Sequence, residues 1–211
     1  KLLHLQQDGK QAISAPSNWV KEGPLLKVKT PIDEDVTELV KKMLKGDNGN
    51  TTAMWHFFIG SPGNGKSAAI GEVCHQLGDK CRILDETTKK SIDELGSESI
   101  PYELQIFEKD NNFPSAMIVQ DASVVRNPYA KDVDPSKDLL KTVEKAWVKG
   151  ISLVVCTNRG IIEKAVRDNL MNEEIKGKDW FRILRQLVEN EGQLPDPEKT
   201  WAFENKDPFE N

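Results

Sequence analysis

This sequence predicts an α/β fold in which a parallel sheet is flanked by helices on both faces. The runs 53–59, 116–121 and 151–157 are apolar without the alternation of a half-solvated strand, as strands covered on both faces require. Stretches with apolar residues at helical spacing separate these runs, and strand alternating with helix is the pattern of parallel strands joined by crossovers. A glycine-rich loop stands between the first run and its following helix, which fixes a strand, loop and helix in sequence there.

Residues 1–29 mix polar residues with Pro16, Gly23 and Pro24 and read as an arm, leaving 30–211 as one core domain. Thr30-Pro31 opens a helix over about 31–45: threonine caps, proline takes the first helical position, and Asp33, Glu34 and Asp35 sit where the helix dipole favours acids. Val36, Leu39, Val40 and Met43 give that helix its apolar stripe, and Gly46–Asn50 ends it. After the strand at 53–59 a helix is expected over about 66–77, then a short strand at Arg82-Ile83-Leu84. Residues 86–113 carry only weak helical patterns, at 91–95 and 102–107. The buried strand 116–121 ends in Asp121. Asp134-Pro135 repeats the cap-plus-proline signal, and Leu139, Leu140, Val143, Ala146 and Trp147 form the stripe of a helix ending near Gly150. The strand 151–157 precedes a helix over about 161–170, and Trp180, Ile183, Leu184, Leu187 and Val188 mark another. Thr200-Trp201-Ala202-Phe203 is a candidate fifth strand.

A chain of 211 residues with 37% hydrophobic content suits a single core. The net charge of -5 offers no overall attraction for nucleic acid. Lys137, Lys141, Lys145 and Lys149 recur every fourth residue, which makes either a solvated helix face or a local basic patch for DNA. Cys74, Cys81 and Cys156 are odd in number without C-x-x-C spacing, against a disulfide framework or zinc site and in favour of a cytoplasmic protein. No apolar run approaches the ~20 residues a bilayer needs, so no membrane partner is expected. Lys1 is not an initiator methionine and the chain stops after an acidic, proline-containing tail, so a fragment of a longer protein is expected.

The loop Gly60-Ser61-Pro62-Gly63-Asn64-Gly65-Lys66-Ser67, followed by Ala68, fits G-x-x-x-x-G-K-[ST] at every constrained position. Glycines let such a loop turn backbone N–H groups inward around phosphate oxygens. Lys66 would reach the β- and γ-phosphates of a nucleoside triphosphate, and Ser67 would offer its hydroxyl to Mg²⁺. Asp121, at the end of its strand, is the second candidate Mg²⁺ group, because ligands of open α/β sheets gather at the carboxyl ends of strands. It would alternatively cap a turn with Ser123. Asn158 follows the next buried strand, where its amide would orient a water or touch the γ-phosphate, or would simply serve a turn.

The layout resembles the AAA+ ATPases, within the P-loop proteins: a helix before the first strand, Walker A at 60–67, a Walker B strand at 116–121 and a sensor-like Asn158. The resemblance spans roughly residues 30–170. It implies a sheet order of 5-1-4-3-2, ATP with Mg²⁺ at the carboxyl edge, a site shared between subunits, and an adenine pocket drawing on Trp19, Val20, Leu25 or Leu26. A GTPase would need D-x-x-G and N-K-x-D where this chain has Asp121-Ala122-Ser123-Val124 and Asn158-Arg159-Gly160-Ile161. The family's Walker B continues with a glutamate that activates water, and here Ala122 stands in that place. Asp85 or Glu86 would have to substitute, or hydrolysis is slow. Arg167 is the candidate arginine finger, reaching a neighbouring copy, whereas Arg182 and Arg185 suit surface pairs with Asp179 and Glu189. The expected function is an ATP-binding and ATP-hydrolysing domain that drives or gates a larger assembly with protein partners or copies of itself. ATPases of this look occur in bacterial DNA restriction and anti-phage defence, so DNA is a candidate partner. The alternatives are a small-molecule or nucleotide phosphotransferase and a nucleotide-dependent scaffold.

Overall fold

The computed structural model describes residues 31–44, 53–61, 65–94, 101–123 and 134–189. The expected arm, the adenine-pocket candidates and the strand at 200–203 lie outside these residues. Helix α1 (Pro31–Leu44) has Asp33 and Glu34 in its first turn and Lys41 and Lys42 in its last, both signs matched to the helix dipole. It buries Val36, Leu39 and Val40. Strand β1 (Trp55–Ile59) leads through the glycine loop to α2 (Lys66–Gly78), and β2 (Cys81–Asp85) follows. Next come a single 3₁₀ turn at Ile92–Glu94, β3 (Glu103–Glu108), β4 (Ala116–Val119) and α3 (Pro135–Lys149). The series ends with β5 (Ser152–Thr157), α4 (Arg159–Arg167), α5 (Glu173–Lys176) and α6 (Asp179–Glu189).

The five strands form one sheet in the order β1-β5-β4-β3-β2. β5 lies parallel to both β1 and β4, with Phe57 opposite Val155 and Ile118 opposite Val154. β3 runs antiparallel to both β2 and β4, with Ile83 opposite Ile106 and Leu104 opposite Ile118. The sheet is therefore mixed, which corrects the all-parallel expectation, and the helical pattern at 102–107 is corrected to strand β3. The misreading has a physical cause. On β3 the face bearing Leu104 and Ile106 is apolar, but the other buries Glu103 and Gln105, so the strand shows neither a continuous apolar run nor a polar face open to water.

Helices cover both faces, as the sequence predicts. Val36, Leu39 and Val40 of α1 and Ile70, Val73 and Cys74 of α2 pack with Phe58, Ile118, Val154 and Cys156 on one face. On the other, Leu139 and Val143 of α3, Ile162 and Ala165 of α4 and Phe181 and Leu184 of α6 pack with Met117, Val119, Leu153 and Val155. Alternate residues of β4 and β5 thus enter different cores, the period of two that a pleated strand dictates.

Asp134 caps α3 by accepting from the Ser136 N–H at 3.0 Å, and Gly150 ends it in the left-handed region at φ 61°. Lys137, Lys141 and Lys149 of α3 are exposed, but Lys145 turns inward and donates to Glu86 Oε1 at 2.9 Å and Glu103 Oε1 at 2.6 Å. Arg182 pairs with Asp179 and Arg185 with Glu189, as their spacing predicts. All three cysteines are buried free thiols. Among the described residues no helix is long and apolar enough to cross a membrane.

Candidate functional site

The carboxyl ends of β1, β5 and β4 lie side by side, because the three strands are parallel neighbours. The glycine loop leaves β1 zipped to β5: Gly60 N–H donates to the Thr157 carbonyl at 3.3 Å. Gly60 and Ser61 open the loop, Pro62, Gly63 and Asn64 lie outside the described residues, and Gly65 returns the chain into α2 at φ 78°. α2 begins without a side-chain cap and without an acid in its first turn. Its leading N–H groups, together with the positive end of the helix dipole, are therefore not neutralised by a capping side chain or a first-turn carboxylate.

Lys66 is the first residue of α2, and its side chain folds back over the loop. Its Nζ donates to the Gly60 and Ser61 carbonyls, both at 2.8 Å. The ammonium thus lies across the start of the loop that its own helix ends. Ser67 is half-buried in the first helical turn, and Ala68 beside it is exposed. The Cys156 thiol donates to the Lys66 carbonyl at 3.4 Å and fastens β5 to the start of α2. Burial pushes that thiol up, with Lys66 opposing the shift and Asp121 adding to it. Both charges therefore act on the same sulfur from the ends of neighbouring elements.

Asp121 follows β4 and is half-buried. Its Oδ1 accepts from the Ser123 N–H at 2.9 Å, closing the turn that the sequence offers as the alternative to a metal role, and Oδ2 is left outside that turn. Ser123 Oγ in turn accepts from the Asn158 N–H at 3.1 Å, a link the sequence reading did not find. Asn158 caps α4: its Oδ1 accepts from the Ile161 N–H at 3.0 Å, which commits the oxygen and leaves the amide NH₂ as the group able to face a ligand. Ala122, in the place of a glutamate, is fully buried in the core with α3, α4 and α6, and its N–H donates to the Cys156 carbonyl at 2.7 Å.

The other candidate residues lie to the side of these three strand ends: β2 runs parallel to β4, so Asp85 and Glu86 leave the same sheet edge two strands away from Asp121. Asp85 is buried, and its carboxylate accepts from the Thr87 and Thr88 N–H groups at 3.1 Å and from the Thr88 hydroxyl at 2.5 Å. It organises the turn after β2. Glu86 holds Lys145, with Lys89 at 3.7 Å. With β3 between them, β2 and β4 are two strand spacings apart, roughly 10 Å, so Glu86 starts well to the side of Asp121. Arg167 ends α4, exposed and 3.5 Å from Asp168. A nine-residue helix spans about 13 Å, which removes Arg167 from the Asn158 end of its own α4 and leaves it facing solvent.

The donor set decides what ion it suits. Among the described residues no group of three or more His, Cys, Asp or Glu side chains could hold a metal by itself. Ser67 and Asp121, the candidates the sequence offers, carry oxygen donors only, the ligand type of a hard cation such as Mg²⁺. Comparison of the chain with protein-family models, with curated proteins and with solved structures finds no match.

Proposed function

We propose that this chain binds ATP as a P-loop domain of the AAA+ type, and that its nucleotide state drives or gates a larger assembly. One observation carries the reading. A loop with the full phosphate-binding pattern joins a strand end to an uncapped helix, with the Lys66 ammonium lying over it and Asp121 and Asn158 on the two neighbouring strand ends. The strand order adds support: β1, β5, β4 and β2 stand in the relative order 1-4-3-2 that the family implies, with β3 inserted antiparallel before the last.

In this reading the loop N–H groups and the α2 terminus bind the phosphates, and Lys66 exchanges its two carbonyl partners for phosphate oxygens. Ser67 and Asp121 would hold Mg²⁺, which supplies charge neutralisation on the β- and γ-oxygens. The Asn158 amide is the donor for the γ-phosphate or a water. Burial of Ala122 favours a domain in which hydrolysis is slow on its own and the bound nucleotide acts as a switch. Protein partners, further copies of the chain, or DNA, as in restriction and anti-phage defence, are the assemblies such a switch would serve.

Titration with a fluorescent ATP analogue tests the reading. Lys66→Ala is expected to weaken binding by about 10- to 100-fold, the loss of one charge-assisted contact set. A variant that binds as the natural protein does would overturn it.

A further inference from the structure

We infer that Ser123 is a positioning residue for the cation half of this site, setting Asp121 and Asn158 in one fixed relation across the β4–β5 strand ends. The inference rests on the ATP-binding reading. Its support is a continuous chain of three hydrogen bonds. Ser123 N–H donates to Asp121 Oδ1 at 2.9 Å, Asn158 N–H donates to Ser123 Oγ at 3.1 Å, and Ile161 N–H donates to Asn158 Oδ1 at 3.0 Å. A carboxylate on a freely rotating side chain presents either oxygen in many directions. Holding Oδ1 in the turn selects one orientation and directs Oδ2 elsewhere. The serine hydroxyl then ties that turn to a residue 35 positions later in the chain. The backbone contact from Ala122 N–H to the Cys156 carbonyl brings the same two segments together but fixes neither functional side chain.

Mg²⁺ demands near-octahedral placement of its few protein oxygens, so orientation of a single carboxylate bears directly on affinity. Ser123→Ala removes the acceptor for the Asn158 N–H while keeping the backbone donor to Asp121. The backbone contact from Ala122 still holds the two segments together, but the turn that orients Asp121 loses its side-chain tie to Asn158.

The experiment measures binding of a fluorescent ATP analogue as a function of Mg²⁺ concentration, and separately in EDTA. Ser123→Ala is expected to raise the Mg²⁺ concentration for half-maximal effect about fivefold to tenfold while leaving binding in EDTA within twofold. Ser123→Thr restores the natural Mg²⁺ dependence, whereas Ser123→Val, of the same shape without the hydroxyl, does not. The threonine and valine pair carries the test if the alanine variant fails to fold. Unchanged Mg²⁺ dependence in both the alanine and valine variants overturns the inference, as does a natural protein whose nucleotide binding ignores Mg²⁺. Lys66→Ala run in parallel separates the two levels: normal nucleotide binding by that variant overturns the ATP reading itself and this inference with it.

Discussion

Gly65 sits at φ 78° with open space where a Cβ would stand, so alanine there is opposed by torsion and not by collision. Gly65→Ala is expected to cost about 1–2 kcal/mol in urea unfolding, the price of a left-handed L-residue. Asp134 shows a charge at work. The Lys164 ammonium, at 2.6 Å, and then the Ser136 hydroxyl hold its carboxyl down at about 2, below the ordinary 3.8. A depressed carboxylate contributes stability that is complete above the ordinary value and is lost as pH falls through the folded one. Asp134→Asn keeps the capping oxygen and removes the charge. It should therefore be less stable than the natural protein by under about 1 kcal/mol near neutrality, with the difference fading between pH 4 and pH 2 in acid-unfolding curves. At this scale the positions of Asp121 and Asn158 were legible because an apolar run ends just before each, and that of Lys66 because the glycine pattern leads into its helix. Ser123 was legible only as a turn residue, since its second bond joins segments that no local pattern relates.

Among the elements, α1 and α3 declared themselves through a capping residue followed by proline, Thr30-Pro31 and Asp134-Pro135, and β1, β4 and β5 through apolar runs. β3 did not, because Glu103 and Gln105 are buried on its second face and the strand owes its place to tertiary pairing instead of pattern. Lys145 is central to that arrangement. It bridges Glu86 and Glu103, and the Glu103 side chain is only 2% exposed. Lys145→Met is expected to cost about 3 kcal/mol, because a buried carboxylate loses its cation. Adding Glu103→Gln to that variant should recover part of the loss, and denaturant melts of the three variants measure the coupling. The same lysine bears on the expectation that Glu86 substitutes for the missing glutamate. A Glu86 held by Lys145 at the far side of β3 is a poor base, so Glu86→Gln should leave any phosphate release within about twofold, read in a steady-state assay.

At the scale of the whole molecule, the described residues form two cores separated by a sheet. Sheet and helix layers pack about 10 Å apart, which puts Val36 of α1 and Leu184 of α6 on opposite sides with no shared neighbour. Val36→Ala and Leu184→Ala should each destabilise, the leucine by about 2–5 kcal/mol, and the double variant should match their sum within about 0.5 kcal/mol. The α/β class and the helices on both faces were legible at this scale, whereas the mixed sheet was not, since strand direction depends on connections that periodicity does not encode. The antiparallel insertion also has a kinetic consequence. β3 and β4 meet through a short turn, with Ser115 and Ile106 nine residues apart at their contact. β1 joins β5 only by closing a span of 98 residues between Met54 and Ser152. Loop closure of that length is the slower event, so the hairpin assembles early and β1 docks late. The glycine loop is attached to β1, and it therefore reaches the Asp121 and Asn158 strand ends only in the closing steps of folding. A partly folded chain would hold most of its sheet before the ends of β1, β5 and β4 stood side by side.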